Sequence, residues 1–175
     1  MKTALKKLQT KFQKNVGKAP HSIWTNPIHF IACGFGVGAI PFMPGTFGTL
    51  LGIPLAFILA SLTLPLYAIG CLILFFFGVF ACHITNRDFG TQDHPAAVID
   101  EMATFPAALF AVPMHWPHIL AAFILFRFFD IVKPGPIRWI DKNIHGGLGV
   151  MLDDLVAAIA TLIVIHFFMW VLGVH

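Results

Sequence analysis

The sequence predicts an all-α integral membrane protein, a polytopic helical bundle, and two observations support this. Of the 175 residues, 58% are hydrophobic and 11% are charged, whereas soluble domains have about 45–50% and about 25%. Residues 27–82 contain no Asp, Glu, Lys or Arg, and a bilayer is crossed by roughly 20 apolar residues. Since a membrane span satisfies its own backbone hydrogen bonds, these segments are expected to be helical. A small soluble protein and a disordered chain are both excluded.

The N-terminal part differs from the rest, and we divide the chain into two parts, 1–26 and 27–175. Six of the 11 Lys and Arg residues precede His21, and apolar residues follow a helical stripe between the lysines. The stripe consists of Leu5, Leu8, Phe12 and Val16. This pattern predicts a basic amphipathic helix on an anionic membrane surface, with a solvated basic tail as the alternative. The lysines also predict a cytoplasmic N-terminus.

Turn-forming residues divide the membrane-embedded part, 27–175, into helices. Prolines and glycines at 41–48 interrupt the uncharged stretch, and the segment 61–65 interrupts it again. We expect a short entrant or interfacial helix followed by about four to five further membrane helices. The short helix is expected at 28–40, and the later apolar segments at about 48–63, 65–83, 102–112, 118–131 and 152–172.

The distribution of charge predicts the orientation of the bundle. The turns at 61–65 and 113–118 have no Asp, Glu, Lys or Arg, whereas all eight acidic residues lie between Asp88 and Asp154. Apart from some histidines and the C-terminus, ionisable side chains beyond the N-terminal part cluster at 87–101 and 127–154. We therefore expect these clusters to share the cytoplasmic face with the N-terminus.

Acidic side chains next to apolar segments predict a metal site. They are Asp100, Glu101, Asp130, Asp153 and Asp154. Carboxylates gathered at a lipid boundary repel one another unless cations lie between them, and oxygen ligands favour Mg²⁺. The alternative for a single residue is helix capping, which Asp performs well.

The same region contains cations suited to phosphate: Arg127, Lys133, Arg138 and Lys142. Arg binds phosphate oxygens through two parallel hydrogen bonds and Lys acts as a point charge. The alternative is pairing with nearby acids or lipid headgroups. Arg127 lies among phenylalanines, where an unpaired cation is expensive.

Two glycine-containing segments are candidates for substrate contact. In PGTFGT at 44–49, Thr46, Thr49 and the backbone N–H groups precede an apolar helix and could receive an anion. In HGGLG at 145–149, Gly147 could allow close approach of a ligand. An ordinary capped or flexible turn is the alternative in each case. The three cysteines predict neither disulfides nor a zinc site, and we expect no nucleic-acid partner.

Taken in order, these motifs resemble the phosphatidylglycerophosphatase A family. The resemblance runs from about residue 26 to near the C-terminus and rests on PGTFGT at 44–49, DE at 100–101, FRFFDIVKPGPIR at 126–138, Asp141 and HGGLGVMLDD at 145–154. It implies a multi-pass, Mg²⁺-dependent phosphatase of the bacterial inner membrane. Such an enzyme converts phosphatidylglycerophosphate to phosphatidylglycerol and inorganic phosphate.

The resemblance also implies roles for individual residues. Metal ligands are expected to be Asp100, Glu101, Asp130, Asp153 and Asp154. Catalytic roles are expected for Asp100, Glu101, Asp130, Asp154, Arg127 and Lys133, and substrate contacts for Lys133 and Arg138. The glycine-containing segments, rather than the resemblance, add Thr46, Thr49 and Gly147 as expected substrate contacts. Two positions depart from the family pattern: Thr104 replaces a usual glycine, and Gly135 replaces a residue that is often bulkier.

The expected mechanism is metal-assisted hydrolysis of a phosphomonoester, with direct attack of water favoured over an aspartyl-phosphate intermediate. A non-enzymatic anion channel or transporter is the alternative from another class. That alternative requires polar residues across the whole membrane, which the apolar halves of the segments do not provide. A lipid phosphotransferase using a cytidine-linked donor would need a DG-x-x-AR motif, which is absent. Protein partners are not indicated by the sequence.

Overall fold

The computed structural model describes residues 20–173, and within this range it contains helices and no β-strand. Seven α-helices occur there: α1 (Pro27–Ala32), α2 (Pro44–Ala60), α3 (Leu64–Phe89), α4 (Ile99–Thr104), α5 (Trp116–Val132), α6 (Pro136–Asn143) and α7 (Gly146–Leu172). Three 3₁₀ helices join them: His21–Trp24, Gly34–Ala39 and Phe105–Leu109. The predicted all-helical class is confirmed. The predicted stripe from Leu5 to Val16 lies outside the described residues.

Two helices are long and apolar enough to cross a membrane, α3 with a mean hydropathy of 2.3 and α7 with 2.5. In the most apolar 18-residue stretch of each helix, only 17% and 28% of the residues, respectively, are buried inside the protein. Most of these side chains therefore face outward. Phe76, Ile163 and Trp170 are examples of large exposed side chains. Helix α2 is apolar but has 17 residues. The helix lengths therefore support two spans, and a larger number stays a prediction.

The apolar segment expected at 102–112 is not a continuous helix, which corrects the expected series of membrane helices. Helix α4 ends at Thr104 and a 3₁₀ turn follows to Leu109, with Pro106 in its first turn. Proline has no backbone N–H, which disfavours continuation of an α-helix. Phe105 and Leu109 are completely or almost completely buried. This segment therefore fills the interior of the bundle.

Small residues on α7 bring its neighbours close. Ala157 and Ala158 are fully buried and pack in one apolar cluster with Phe105 and Phe126. The absence of larger side chains lets helix backbones approach in a membrane bundle, where van der Waals packing drives association. A second cluster on the other side of α7 contains Met151 with residues from α3 and α4. Helix α7 thus lies between both cores.

Five helices have polar ends that meet at one end of the bundle. Helices α2, α4 and α7 begin there, and α3 and α5 end there. Gly90 ends α3 in the left-handed conformation, with φ of 69°, which glycine adopts without steric cost. The loop 90–98 and the amphipathic helix α6 complete this end. The charged residues that the sequence separates are therefore brought together.

Two polar cavities lie at this end of the bundle, and Gly147, a predicted substrate contact, is not among the residues that line them in the described part of the chain. Gly147 packs against α3. A Cβ at this position would lie 2.6 Å from the amide nitrogen of His83 and 3.0 Å from its Cα. The two backbones would have to separate, and overpacking of this kind costs about 1–3 kcal/mol.

We therefore expect Gly147→Ala to lower the thermal unfolding midpoint in detergent. Leu148→Ala is the control, because Leu148 is exposed and a substitution at such a site changes stability by about 0.5 kcal/mol or less. Equal midpoints for Gly147→Ala and the unmodified protein would contradict this packing role.

Candidate active site

A polar cavity of about 290 Å³ lies where the five helix ends meet. Its walls combine carboxylates, two cations and the start of α2. The lining residues are Met43, Pro44, Gly45, Asp93, Pro95, Ala97, Asp100, Glu101, Arg127, Asp130, Ile131, Lys133, Val150, Asp153 and Asp154. All five predicted metal ligands and two of the predicted phosphate partners therefore surround one space.

Three carboxylates form the most compact group. Oxygens of Asp100, Glu101 and Asp154 lie within 4.8 Å of one another. One oxygen of each, Oδ1, Oε2 and Oδ2 respectively, is buried without a hydrogen-bond partner. Buried polar atoms normally have a hydrogen-bond partner, so these unpartnered oxygens are available to bind a ligand. Their hard oxygen chemistry fits Mg²⁺.

The acidic pair on α4 carries a large electrostatic cost. Burial raises the pKa of Asp100, and the neighbouring Glu101 carboxylate raises it further. Burial also raises the pKa of Glu101. Because removal from water disfavours the charged form of a carboxyl, a positive charge between these side chains would stabilise their ionised forms.

Arg127 supplies a positive charge on one side of the cavity. Its Nη1 atom lies 2.7 Å from Oδ2 of Asp130, three residues later in α5, and 3.3 Å from Oε1 of Glu101. The side chain is only 15% exposed, and its Nε is buried without a partner. Arg127 therefore links α5 to α4, and its Nε remains available to donate a hydrogen bond.

Lys133 supplies the second cation, just beyond the end of α5. Its backbone is left-handed, with φ of 46°, and its Nζ donates to Oδ1 of Asp141 at 2.7 Å and to Oδ2 of Asp153. Burial disfavours the charge, but the two carboxylates outweigh this effect and raise the pKa of Lys133. The lysine is therefore charged, and Asp153 is its partner rather than a member of the compact acidic group.

The remaining predicted substrate contacts lie outside the cavity wall. Thr49 is buried, and its hydroxyl donates to the carbonyl of Gly45 at 2.9 Å. The hydroxyl of Thr46 is buried and has no partner, while Arg138 is exposed on α6. The segment at 44–49 does contribute Gly45, whose Cα faces Glu101 and Arg127 so closely that a Cβ would touch both.

Two acidic residues at the site were not among the predicted contacts. Asp93 lines the cavity from the loop 90–98, and Asp141 holds Lys133 from α6. No motif or helical periodicity pointed to Asp93, whereas Asp141 stood among the family motifs without a role assigned to it. Both residues also lie in the charged clusters 87–101 and 127–154, but that position does not distinguish them from acidic residues on the surface.

The fold and the site define a class: a helical protein with apolar outward faces and a polar cavity that joins carboxylates to cations. The model of the family described as phosphatidylglycerophosphatase A matches residues 30–169. No solved structure gives a significant match.

Curated relatives agree with the family match. A phosphatidylglycerophosphatase A of Escherichia coli (strain K12) is 40% identical over 153 residues, covering 86% of this chain and 89% of the relative. One of Haemophilus influenzae is 46% identical over 142 residues, covering 80% and 87%. A protein of Bacteroides thetaiotaomicron, with the provisional name phosphatidylinositol-3-phosphatase, is 40% identical over 152 residues, covering 82% and 94%.

The chain belongs to the phosphatidylglycerophosphatase A family, as the motifs from 44 to 154 predicted. It is a phosphatase of lipid metabolism. This membership favours the enzyme over the channel or transporter that the composition alone left open.

Proposed function

We propose that the protein is a Mg²⁺-dependent phosphatase that hydrolyses phosphatidylglycerophosphate to phosphatidylglycerol and inorganic phosphate. The observation that carries this proposal is the group of buried, unpartnered oxygens of Asp100, Glu101 and Asp154 beside Arg127 and Lys133. Carboxylates next to cations provide both a metal site and a phosphate site in one cavity. The curated relatives of E. coli and H. influenzae support the choice of substrate.

The metal would be held by Asp100, Glu101 and Asp154, each of which has a carboxylate oxygen within 4.8 Å of those of the other two. Asp130 and Asp153 line the same cavity but already face Arg127 and Lys133. When bound, Mg²⁺ supplies charge neutralisation for the phosphate oxygens and for the leaving oxygen.

Arg127, near the end of α5, and Lys133, just beyond it, bind the phosphate group. Arg127 has an unpartnered Nε, and Lys133 is charged and lines the cavity. Asp130 or Asp153, as carboxylates outside the compact group, orient or deprotonate the water that attacks phosphorus. The phosphorus–oxygen bond to the headgroup breaks, and the product alcohol takes up a proton.

We place the site at the cytoplasmic face of the bacterial inner membrane, with the N-terminus on the same side. The described turns at the far end of the bundle, 61–63 and 113–115, contain no Asp, Glu, Lys or Arg. Basic residues favour the cytoplasmic side, and six of them precede His21. A headgroup enters such a site directly from the inner leaflet.

The proposal is tested by phosphate release from phosphatidylglycerophosphate in detergent micelles, with purified protein, with Mg²⁺ and with a chelator. We expect release with Mg²⁺ and its loss with chelator, and restoration when Mg²⁺ is returned. Phosphate release that is unaffected by the chelator would contradict the proposed dependence on Mg²⁺. No release by well-folded protein under either condition would contradict the reaction.

A further inference from the structure

A second, smaller cavity adjoins the first on the side of α6. It has a volume of about 140 Å³, while a single water needs roughly 10–15 Å³, so a small polar group fits. It shares Asp93, Val150 and Asp153 with the larger cavity. Its walls consist of Gln92, Asp93, Asp141, Ile144, His145, Gly146, Gly149, Val150 and Asp153.

The two cavities differ in charge. Arg127 and Lys133 line the larger cavity and are not part of the smaller one's walls. The smaller cavity instead presents carboxylates, an amide and an imidazole. Phosphate oxygens therefore have two cationic partners in the walls of the first space and none in the walls of the second. Hydroxyl groups, which donate hydrogen bonds and carry no charge, suit the second.

Asp93 stands at the boundary between the two cavities and has free acceptor capacity. In the range 20–173, no ion pair or hydrogen bond reaches its side chain, and the residue is exposed. The other two carboxylates in the walls of the smaller cavity are Asp141 and Asp153. Both accept a hydrogen bond from Lys133. Among the described residues, Asp93 is therefore the carboxylate in these walls that makes no ion pair or hydrogen bond, so all of its acceptor sites are open to a ligand.

The backbone on both sides of Asp93 is held by one buried side chain. Asn86, near the end of α3, is 3% exposed. Its Nδ2 donates to the carbonyl of Gln92 at 2.9 Å, and its Oδ1 accepts from the amide of His94 at 3.1 Å. Phe89 packs against the His94 ring, with centroids 4.8 Å apart. Asp93 is thus placed before a ligand arrives, which lowers the cost of binding.

We propose that Asp93 is a specificity-determining residue that accepts a hydrogen bond from a headgroup hydroxyl of the lipid phosphate, and that Asn86 is its positioning residue. The inference rests on the proposed function, because the phosphate in the larger cavity places the adjoining glycerol near Asp93. The glycerol hydroxyl lies one carbon from the carbon that bears the phosphomonoester. Asp93 thereby selects headgroups that carry a hydroxyl at that position.

The test compares phosphatidylglycerophosphate with an analogue that has 1,3-propanediol in place of the headgroup glycerol and so lacks one hydroxyl. A hydrogen bond to a charged group corresponds to a change on the order of tenfold to a hundredfold. We expect kcat/KM of the unmodified protein to be lower by this factor for the analogue. Asp93→Ala should remove the preference, and Asp93→Asn, which keeps a neutral acceptor, should retain part of it.

Two further variants separate specificity from folding. Asn86→Ala should reduce the preference, and adding it to Asp93→Ala should cause little further change, because both act on one contact. Asp88→Ala is the matched control: Asp88 pairs with Arg87 and His29 and lines neither cavity. We expect Asp88→Ala to keep the full preference.

Each contrary outcome has a definite meaning. If the unmodified protein hydrolyses both lipids equally, the role of Asp93 is wrong while the proposed function stands. If Asp93→Ala slows both lipids by the same factor, Asp93 serves the reaction or a cation and the specificity role is overturned. If the unmodified protein hydrolyses neither lipid, the proposed function fails and this inference fails with it.

Discussion

Asp154→Asn is expected to abolish nearly all phosphate release from phosphatidylglycerophosphate while leaving the protein folded. Asn has the same size as Asp and fits the same buried position, where Asp154 is 3% exposed. The change removes the charge from the group formed with Asp100 and Glu101. Loss of one such electrostatic contact at a reacting centre typically costs about 100- to 1,000-fold in rate.

Thermal unfolding with and without Mg²⁺ gives a readout independent of activity. A ligand that binds the folded protein raises its unfolding midpoint, so Mg²⁺ should raise that of the unmodified protein and not that of Asp154→Asn. Without Mg²⁺ the variant should be at least as stable, because it removes a charge that repels two neighbours. Asp88→Asn, outside the cavity, should keep both activity and the Mg²⁺ response. A Mg²⁺ response that survives in Asp154→Asn would contradict Asp154 as a ligand.

Arg127→Met is expected to destabilise the fold and to remove activity. The change leaves Glu101 and Asp130 without the cation that lies 3.3 Å and 2.7 Å from them. Removing one partner of a buried ion pair costs about 3–5 kcal/mol. Unfolding followed by circular dichroism in detergent measures the change in the free energy of unfolding.

Arg87→Met is the matched control, because Arg87 also pairs with a carboxylate but is 67% exposed. Exposed pairs contribute about 0–1 kcal/mol, so this variant should remain close to the unmodified protein. Arg127→Lys keeps a charge and should recover stability more than activity, since Lys lacks the planar group that binds two phosphate oxygens. Equal destabilisation by Arg127→Met and Arg87→Met would contradict the buried bridge.

Local sequence patterns predicted much of the candidate site. Asp100 and Glu101, Arg127 and Asp130, and Asp153 and Asp154 stand in compact motifs beside apolar segments, and the cavity contains all of them. An ionisable residue beside a membrane helix is expensive, so its presence alone indicates a site. Asp93 offered no such signal, because an acidic residue in a polar loop can stay in water and has no desolvation cost that would mark it as part of a site.

The glycine segments show what a local pattern leaves open. The segments containing Gly45 and Gly147 were both candidates for substrate contact. Gly147 accommodates the backbone of α3 at His83, whereas Gly45 accommodates Glu101 and also lines the cavity. A glycine allows close approach of any group, and the sequence does not say which group arrives. The segment 102–112 similarly looked like other apolar segments, although Pro106 and burial made it an internal turn.

The sequence by itself determined the helical class, the apolar segments, the charged end and the family, because hydrophobicity, charge and short motifs are properties of neighbouring residues. The tertiary structure alone decided which charges meet. Arg127 faces Glu101 from 26 residues away, Lys133 reaches Asp153, and Asn86 holds the loop of Asp93. Such contacts depend on how five helix ends pack together, and no local pattern encodes that arrangement.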